Sequence, residues 1–118
     1  MVACGKTKID PKIARDALEQ ITIDRPRTLP PVLKQLRLEG HQLIGLEQAT
    51  RSQNLHQFAF PRRAVLVIGH ERLGIEEEVL EMLDHVIEIP VWGAPHSYNV
   101  ATATTMALYE YCRQFPEG

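Results

Sequence analysis

The junction at which Ala64-Val-Leu-Val-Ile68 runs straight into Gly69-His-Glu-Arg-Leu-Gly74 constrains the fold more than any other stretch of the chain. A continuous apolar run rich in β-branched residues reads as a strand covered on both faces, as in a parallel sheet with helices on each side. Parallel neighbours need a crossover connection between them, commonly a helix. Strands and helices should therefore alternate, and along this sequence they do.

Met1–Cys4 reads as the end of a strand, with Gly5 and Lys6 turning out of it. A short helix follows, with Asp10 as N-cap and Pro11 at its first position, where a missing N–H costs nothing. Residues 21–31 hold Pro26, Pro30 and Pro31 and read as an extended connection. The next helix places Val32, Leu33 and Leu36 on one face and stops at Gly40. His41–Glu47 is a strand, and a polar surface loop runs from there to about Pro61. After the glycine-bracketed loop, Ile75–Asp84 is predicted helical, with Ile75, Val79 and Leu83 inward and Glu76, Glu77 and Glu78 suiting the dipole of its first turn. Val86–Ile89 is a short strand stopped by Pro90. The last helix, about Asn99–Arg113, is expected to bury Val100, Ala103, Ala107, Leu108 and Tyr111. The fold class is α/β, a mostly parallel sheet flanked by helices.

At 118 residues the chain is expected to form one domain, 1–118. No apolar run is long enough to span a bilayer, and none follows Met1 as a signal peptide requires. Cys4 and Cys112 lie far apart and form no CxxC pair, so reduced thiols and a cytoplasmic location are expected. The net charge of −2 hides an asymmetry. Residues 1–70 carry eleven Lys/Arg against six Asp/Glu, and residues 71–118 two against nine. The asymmetry has two readings: solvated surfaces on opposite sides of an average domain, or one positive face toward phosphates. Lys6, Lys8, Lys12 and Arg15, or Arg25 and Arg27, would carry the second.

In open parallel sheets ligands bind beyond the carboxyl ends of the strands. Two loops fall there, 69–74 and 90–98. Gly69 can let main chain approach a flat ligand, and Gly74 releases the chain into the next helix. Glu71 between them either caps the loop's own backbone or faces a ligand. The spacing lacks the Lys-Ser/Thr of a phosphate loop. In the second loop, Ile89-Pro-Val-Trp-Gly-Ala-Pro-His-Ser-Tyr-Asn-Val100, three turn-forming residues stiffen the path to a helix start. Ser97 and Asn99 there are either N-caps or ligand contacts. Trp92 and Tyr98 are either packing residues or part of a subunit interface. His96 has no partner at metal-ligand spacing, so no metal is expected. A GxSxG nucleophile elbow is absent as well.

Taken together, Val65-Leu-Val-Ile-Gly-His-Glu-Arg-Leu-Gly-Ile75 resembles the second signature motif of the SpoU/TrmH branch of the SPOUT methyltransferases. Ile87-Glu-Ile-Pro-Val-Trp-Gly-Ala-Pro-His-Ser-Tyr-Asn-Val-Ala-Thr-Ala103, running into Leu108-Tyr-Glu-Tyr111, resembles their third motif and terminal helix. Gln42-Leu-Ile-Gly-Leu-Glu-Gln48 extends the likeness upstream. The resemblance implies transfer of a methyl group from S-adenosylmethionine to a ribose 2′-hydroxyl of tRNA or rRNA. It also implies a C-terminal trefoil knot and a homodimer with the active site near the subunit contact. By the same resemblance Gly69, Ile89 and Tyr98 hold the cofactor, chiefly through main-chain atoms, and Leu46 and Val100 add apolar contact on the adenine side. Glu71, Ser97 and Asn99 match the polar residues of the family's catalytic pocket.

The sequence departs from the family pattern at His70, where Asn is usual, at Tyr98 (Leu), at Val91 (Met) and at Arg72, where Gly is common. The family's first motif pairs an Asn with an Arg that assists deprotonation of the ribose hydroxyl, and residues 1–30 hold no match to it. Lys6–Ile21 resembles the segment downstream of that motif, and Arg15, Arg25 and Arg27 are no substitute. The resemblance therefore predicts a domain that begins late. It leaves three readings: a truncated reading frame, a relative that binds S-adenosylmethionine or RNA without catalysing, or an enzyme with a replaced base. Taken loop by loop, without the resemblance, a generic nucleotide-binding α/β domain or dimerisation unit also remains.

Overall fold

A computed structural model describes residues 27–48, 51–70, 73–92 and 99–117. The strand end at Met1–Cys4 and the helix from Asp10 lie outside these residues, as does the stretch 93–98 that bears on the expected knot.

Helix α1, Pro30–Leu38, opens on two prolines, whose fixed φ suits a first turn that needs no N–H donors. The extended connection read from the sequence therefore ends earlier than residue 31. Leu33 is buried, and Val32 and Leu36 are partly buried, so the predicted face is the one that packs. Gly40 ends the element at φ +96°, a conformation that favours glycine.

Four strands follow: β1 Gln42–Leu46, β2 Gln53–Asn54, β3 Ala64–Ile68 and β4 His85–Glu88. They form one sheet in the order β2-β4-β1-β3, and every pairing is parallel. Leu46 is in register with Ile68 on one side and Ile87 on the other, so the three longer strands finish level. Between β3 and β4 lies a single-turn helix α2, Glu77–Leu80, and the chain closes on helix α3, Val100–Gln114.

Alternation along the strands divides the core into two clusters, because successive side chains point to opposite faces. Leu43 and Val67 pack with Leu33, Ile75 and Val79 under α1 and α2. Ile44 and Ile87 pack with Leu55, Phe58 and Phe60, and Tyr111 and Phe115 of α3 lie against that cluster. Strand β1 is the centre of both, with Leu43 and Ile44 fully buried.

Four sequence expectations are corrected here. The segment after β1 is no polar surface loop: it forms β2 and a 3-10 turn, Leu55–Gln57, and buries Leu55, Phe58 and Phe60. Gln114 holds it in place, accepting from Phe60 N–H and donating to Phe58 O, both at 2.8 Å. The helix expected over Ile75–Asp84 is one turn long. Met82 N–H bonds Val79 O and Leu83 N–H bonds Leu80 O, tighter turns that swing the chain toward Asp84, whose N–H reaches Leu43 O at 2.8 Å. Strand β3 is not covered throughout: among the described strands it pairs on one side only, and Ile68 is 44% exposed. Leu108 is half exposed rather than buried, since the inward face of α3 turns on Ala107 and Tyr111. None of the described helices is long and apolar enough to cross a membrane.

Candidate functional site

Because β1, β3 and β4 finish level, the residues just past them share one rim. A cleft of about 300 Å³ opens there. Leu46 and Glu47 bound it from β1, Ile68, Gly69 and His70 from β3, Glu88, Ile89 and Val91 from β4, and Val100 and Ala103 from the first turn of α3. The walls are thus aliphatic on two sides and polar at the strand ends.

The wall after β3 is a closed turn. His70 N–H donates to Gly74 O at 3.0 Å and Gly74 N–H returns to His70 O at 2.9 Å, an antiparallel bridge that brings the loop's ends together. His70 Nδ1 lies 3.4 Å from Leu73 N–H within the same turn. Gly74 sits at φ +71°, which a residue with a Cβ adopts only under strain. Gly69 is required for a different reason. A Cβ on it would fall inside the main chain of Gly74 and Ile75. Read from the sequence, the absent side chain leaves room for a flat ligand; in the structure the loop's own backbone takes that space. Glu47 fastens the turn to the sheet: its Oε1 accepts from Ile75 N–H at 3.2 Å.

The wall before α3 starts at Asn99, whose side chain accepts from Thr102 N–H at 2.7 Å. Its capping role is therefore present, and it stands one residue from Val100 on the cleft. Trp92 is 77% exposed, with the His56 ring 6.2 Å away between centroids.

Of the residues singled out in the sequence, Leu46, Gly69, Ile89 and Val100 line this one cleft, although they come from three separated stretches. Asn99 lies at its edge as the N-cap of α3. Glu71, Ser97 and Tyr98 lie outside the described residues. Sequence reasoning missed Glu47, Glu88 and Val91 as wall residues. For Glu47 a signal was available: a charged residue directly after a buried strand, as with Glu71.

A level row of parallel strand ends roofed by a helix start defines an α/β domain of the kind that binds its ligand outside the carboxyl edge of the sheet. Comparison with known proteins gives the class a family. The sequence profile of the SpoU rRNA Methylase family matches residues 4–109, and the chain belongs to that family. It is 39% identical over 90 residues to a mouse tRNA (guanosine(18)-2'-O)-methyltransferase, covering 76% of this chain and 6% of that protein. It is 30% identical over 112 residues to the tRNA (guanosine(18)-2'-O)-methyltransferase of Aquifex aeolicus, covering 95% of this chain and 53% of the relative. The crystal structure of the A. aeolicus TrmH/SpoU tRNA modifying enzyme superposes with a TM-score of 0.86 at 30% identity, over 95% of this chain and 57% of that one. The SpoU methyltransferase AviRb of Streptomyces viridochromogenes, crystallised with AdoMet, superposes with a TM-score of 0.81 at 26% identity, over 99% of this chain and 50% of that one. The chain thus spans about half the length of the bacterial relatives and a small part of the mouse one.

Proposed function

We propose that this chain is a methyltransferase domain that binds S-adenosylmethionine in the cleft at the strand ends and acts on a ribose 2′-hydroxyl of tRNA or rRNA. The observation that carries the reading is the convergence of Leu46, Gly69, Ile89 and Val100, residues of three separate family-like segments, on one cleft. Relatives along nearly the whole chain are named as tRNA 2′-O-methyltransferases, and a structural neighbour of the same fold is bound to AdoMet.

The residues present suit the cofactor. An adenine ring needs apolar contact on its faces and hydrogen bonds at its edge. Leu46, Ile89, Val91 and Val100 supply aliphatic wall, and the turns after β3 and β4 bring main chain to the same space. Gly69 and Ile89, with Tyr98, are the main-chain contacts we assign to it. The acidic Glu47 and Glu88 on the wall suit a ligand of net positive charge. When bound, the cofactor supplies an electrophilic methyl group on a sulfonium. The chain's part is to hold that carbon in line with a ribose oxygen, and such positioning supplies much of the rate in transfers of this kind. We assign Glu71, Ser97 and Asn99 to the polar side of the site, where the ribose would lie.

A homodimer is part of the proposal, together with a cytoplasmic location. Leu108 and Tyr109 of α3 and Trp92 are exposed at 50%, 74% and 77%, apolar surface of the kind a second subunit covers. Sedimentation at micromolar concentration should give twice the chain mass.

The direct test is incubation with methyl-labelled S-adenosylmethionine and bulk tRNA or rRNA, followed by nucleoside analysis. Label in a 2′-O-methylated nucleoside is expected. Cofactor binding without label would withdraw the catalytic assignment and leave a binding domain, and no cofactor binding would withdraw both.

A further inference from the structure

We infer that Glu47 is a positioning residue, which holds the closing end of the glycine turn against β1 and so sets the width of the cleft; the assignment rests on that cleft being the cofactor site. Glu47 is the first residue beyond β1. Its main-chain N–H donates to Ile87 O at 3.0 Å, which extends the β1–β4 pairing by one bond and fixes its backbone. Its side chain reaches the wall after β3, where Oε1 accepts from Ile75 N–H at 3.2 Å. One residue therefore joins the ends of β1 and β4 to the closing end of the turn that follows β3.

The fit on the far side is steric as well as polar. A Cβ on Gly74 would land on the Glu47 carboxylate, so the glycine leaves the space that the carboxylate occupies. The paired bonds between His70 and Gly74 make the turn a unit, yet they tie it only to itself. The bond from Ile75 to Glu47 is a side-chain tie between the closing end of that unit and the sheet. A carboxylate accepting a main-chain N–H makes a stronger hydrogen bond than a neutral acceptor does. Glu47, Gly69, His70, Leu73 and Gly74 all line the cleft, so a shift of the turn changes its width.

The experiment compares Glu47→Ala and Glu47→Gln with the parent protein by two readouts. The first is amide hydrogen exchange at Ile75, followed by NMR without ligand. The second is S-adenosylmethionine affinity by calorimetry. Glu47→Ala should speed exchange at Ile75 and weaken binding, each by roughly tenfold, the size expected for losing one charge-assisted hydrogen bond. Glu47→Gln retains an oxygen that accepts from Ile75 but without the charge, and should fall between the parent and the alanine on both. Unchanged exchange in Glu47→Ala would overturn the assignment. So would a Glu47→Gln variant as weak as the alanine, because charge rather than positioning would then be the role. If the parent binds no S-adenosylmethionine, the cofactor reading fails while the exchange measurement still decides what Glu47 does.

Discussion

At each end of the sheet an acidic side chain accepts a main-chain N–H, and the two contacts have different surroundings. At the amino end, Asp84 Oδ2 accepts from Leu43 N–H at 2.7 Å while Asp84 N–H donates to Leu43 O at 2.8 Å. Arg37 stands beside it, 3.4 Å from Oδ1 and also bonded to Met82 O. At the carboxyl end Glu47 accepts from Ile75 N–H, and the space around it is the cleft. The first contact starts β4 beside β1 and leads directly into core residues that are fully buried. The second fixes a turn and leaves a hollow next to it. The chain thus places the Asp84–Leu43 closure and the cleft proposed for the cofactor at opposite ends of the sheet. Damage at one end should be readable as lost stability, and damage at the other as lost binding.

The largest break in that division is expected from Gly69→Val. Its side chain would have to displace the Gly74–Ile75 main chain, so both properties should fail together. Overpacking of this kind costs about 2–4 kcal/mol, and a thermal melt should drop by ten degrees or more, at about 4–8 °C per kcal/mol, with cofactor binding abolished. Asp84→Ala removes the acceptor for Leu43 N–H and the partner of Arg37. About 1–3 kcal/mol of stability should be lost, while cofactor affinity measured below the melt stays at the parent value. A weakened affinity would show that the ends are coupled after all. Asn99→Ala removes the N-cap of α3 at the rim, a loss of about 1 kcal/mol. Restoration by Asn99→Asp in the melt but not in binding or methyl transfer would separate capping from a role in the site.

The smallest effect belongs to neither end. Arg113 lies against Glu110 on α3, and its hydrogen bonds hold the Glu110 carboxyl below the usual carboxylate range. A lowered folded-state pKa stabilises the fold at pH above the unfolded value, and that contribution fades as pH falls through the folded one. Arg113 is largely exposed and solvent screens the pair, so its loss should be a slight steepening of acid unfolding below about pH 4.5. Replacing Glu110 with Gln should flatten that part of the pH–stability curve and leave cofactor binding unaltered.

Strands β1 and β3 were legible because their apolar runs are short, dense and bounded by turn residues, so strand pattern and length agree. The two loops that meet at the cleft were legible for the same reason, since each follows directly from such a strand. The segment carrying Leu55, Phe58 and Phe60 was not. Leu55 stands between polar residues and Phe58-Ala59-Phe60 is cut off at Pro61, too short a run to fix a period, and their burial depends on Tyr111 and Gln114, more than fifty residues from Phe58 and Phe60. Around Ile75–Leu83 the periodicity identified the inward face correctly, with Ile75 and Val79 buried, and overstated the helix. The requirement to bring Asp84 to Leu43 shortened it, a tertiary demand invisible in local spacing. Leu108 fits a helical stripe on paper, but the stripe that packs is narrower. The place of Glu47 after a buried strand marked it in the sequence, but its partner, the amide of Ile75, comes from a turn whose approach only the folded chain reveals.

Helix α3 runs fifteen residues, about 22 Å at 1.5 Å per residue. Its leading turn borders the hollow, and its trailing turn grips Phe58 and Phe60 through Gln114. A stiff rod fastened at both tips passes constraint from one to the other. A small molecule seated at the leading tip should therefore slow fraying at the trailing one, and amide hydrogen exchange in that last turn becomes a label-free gauge of occupancy.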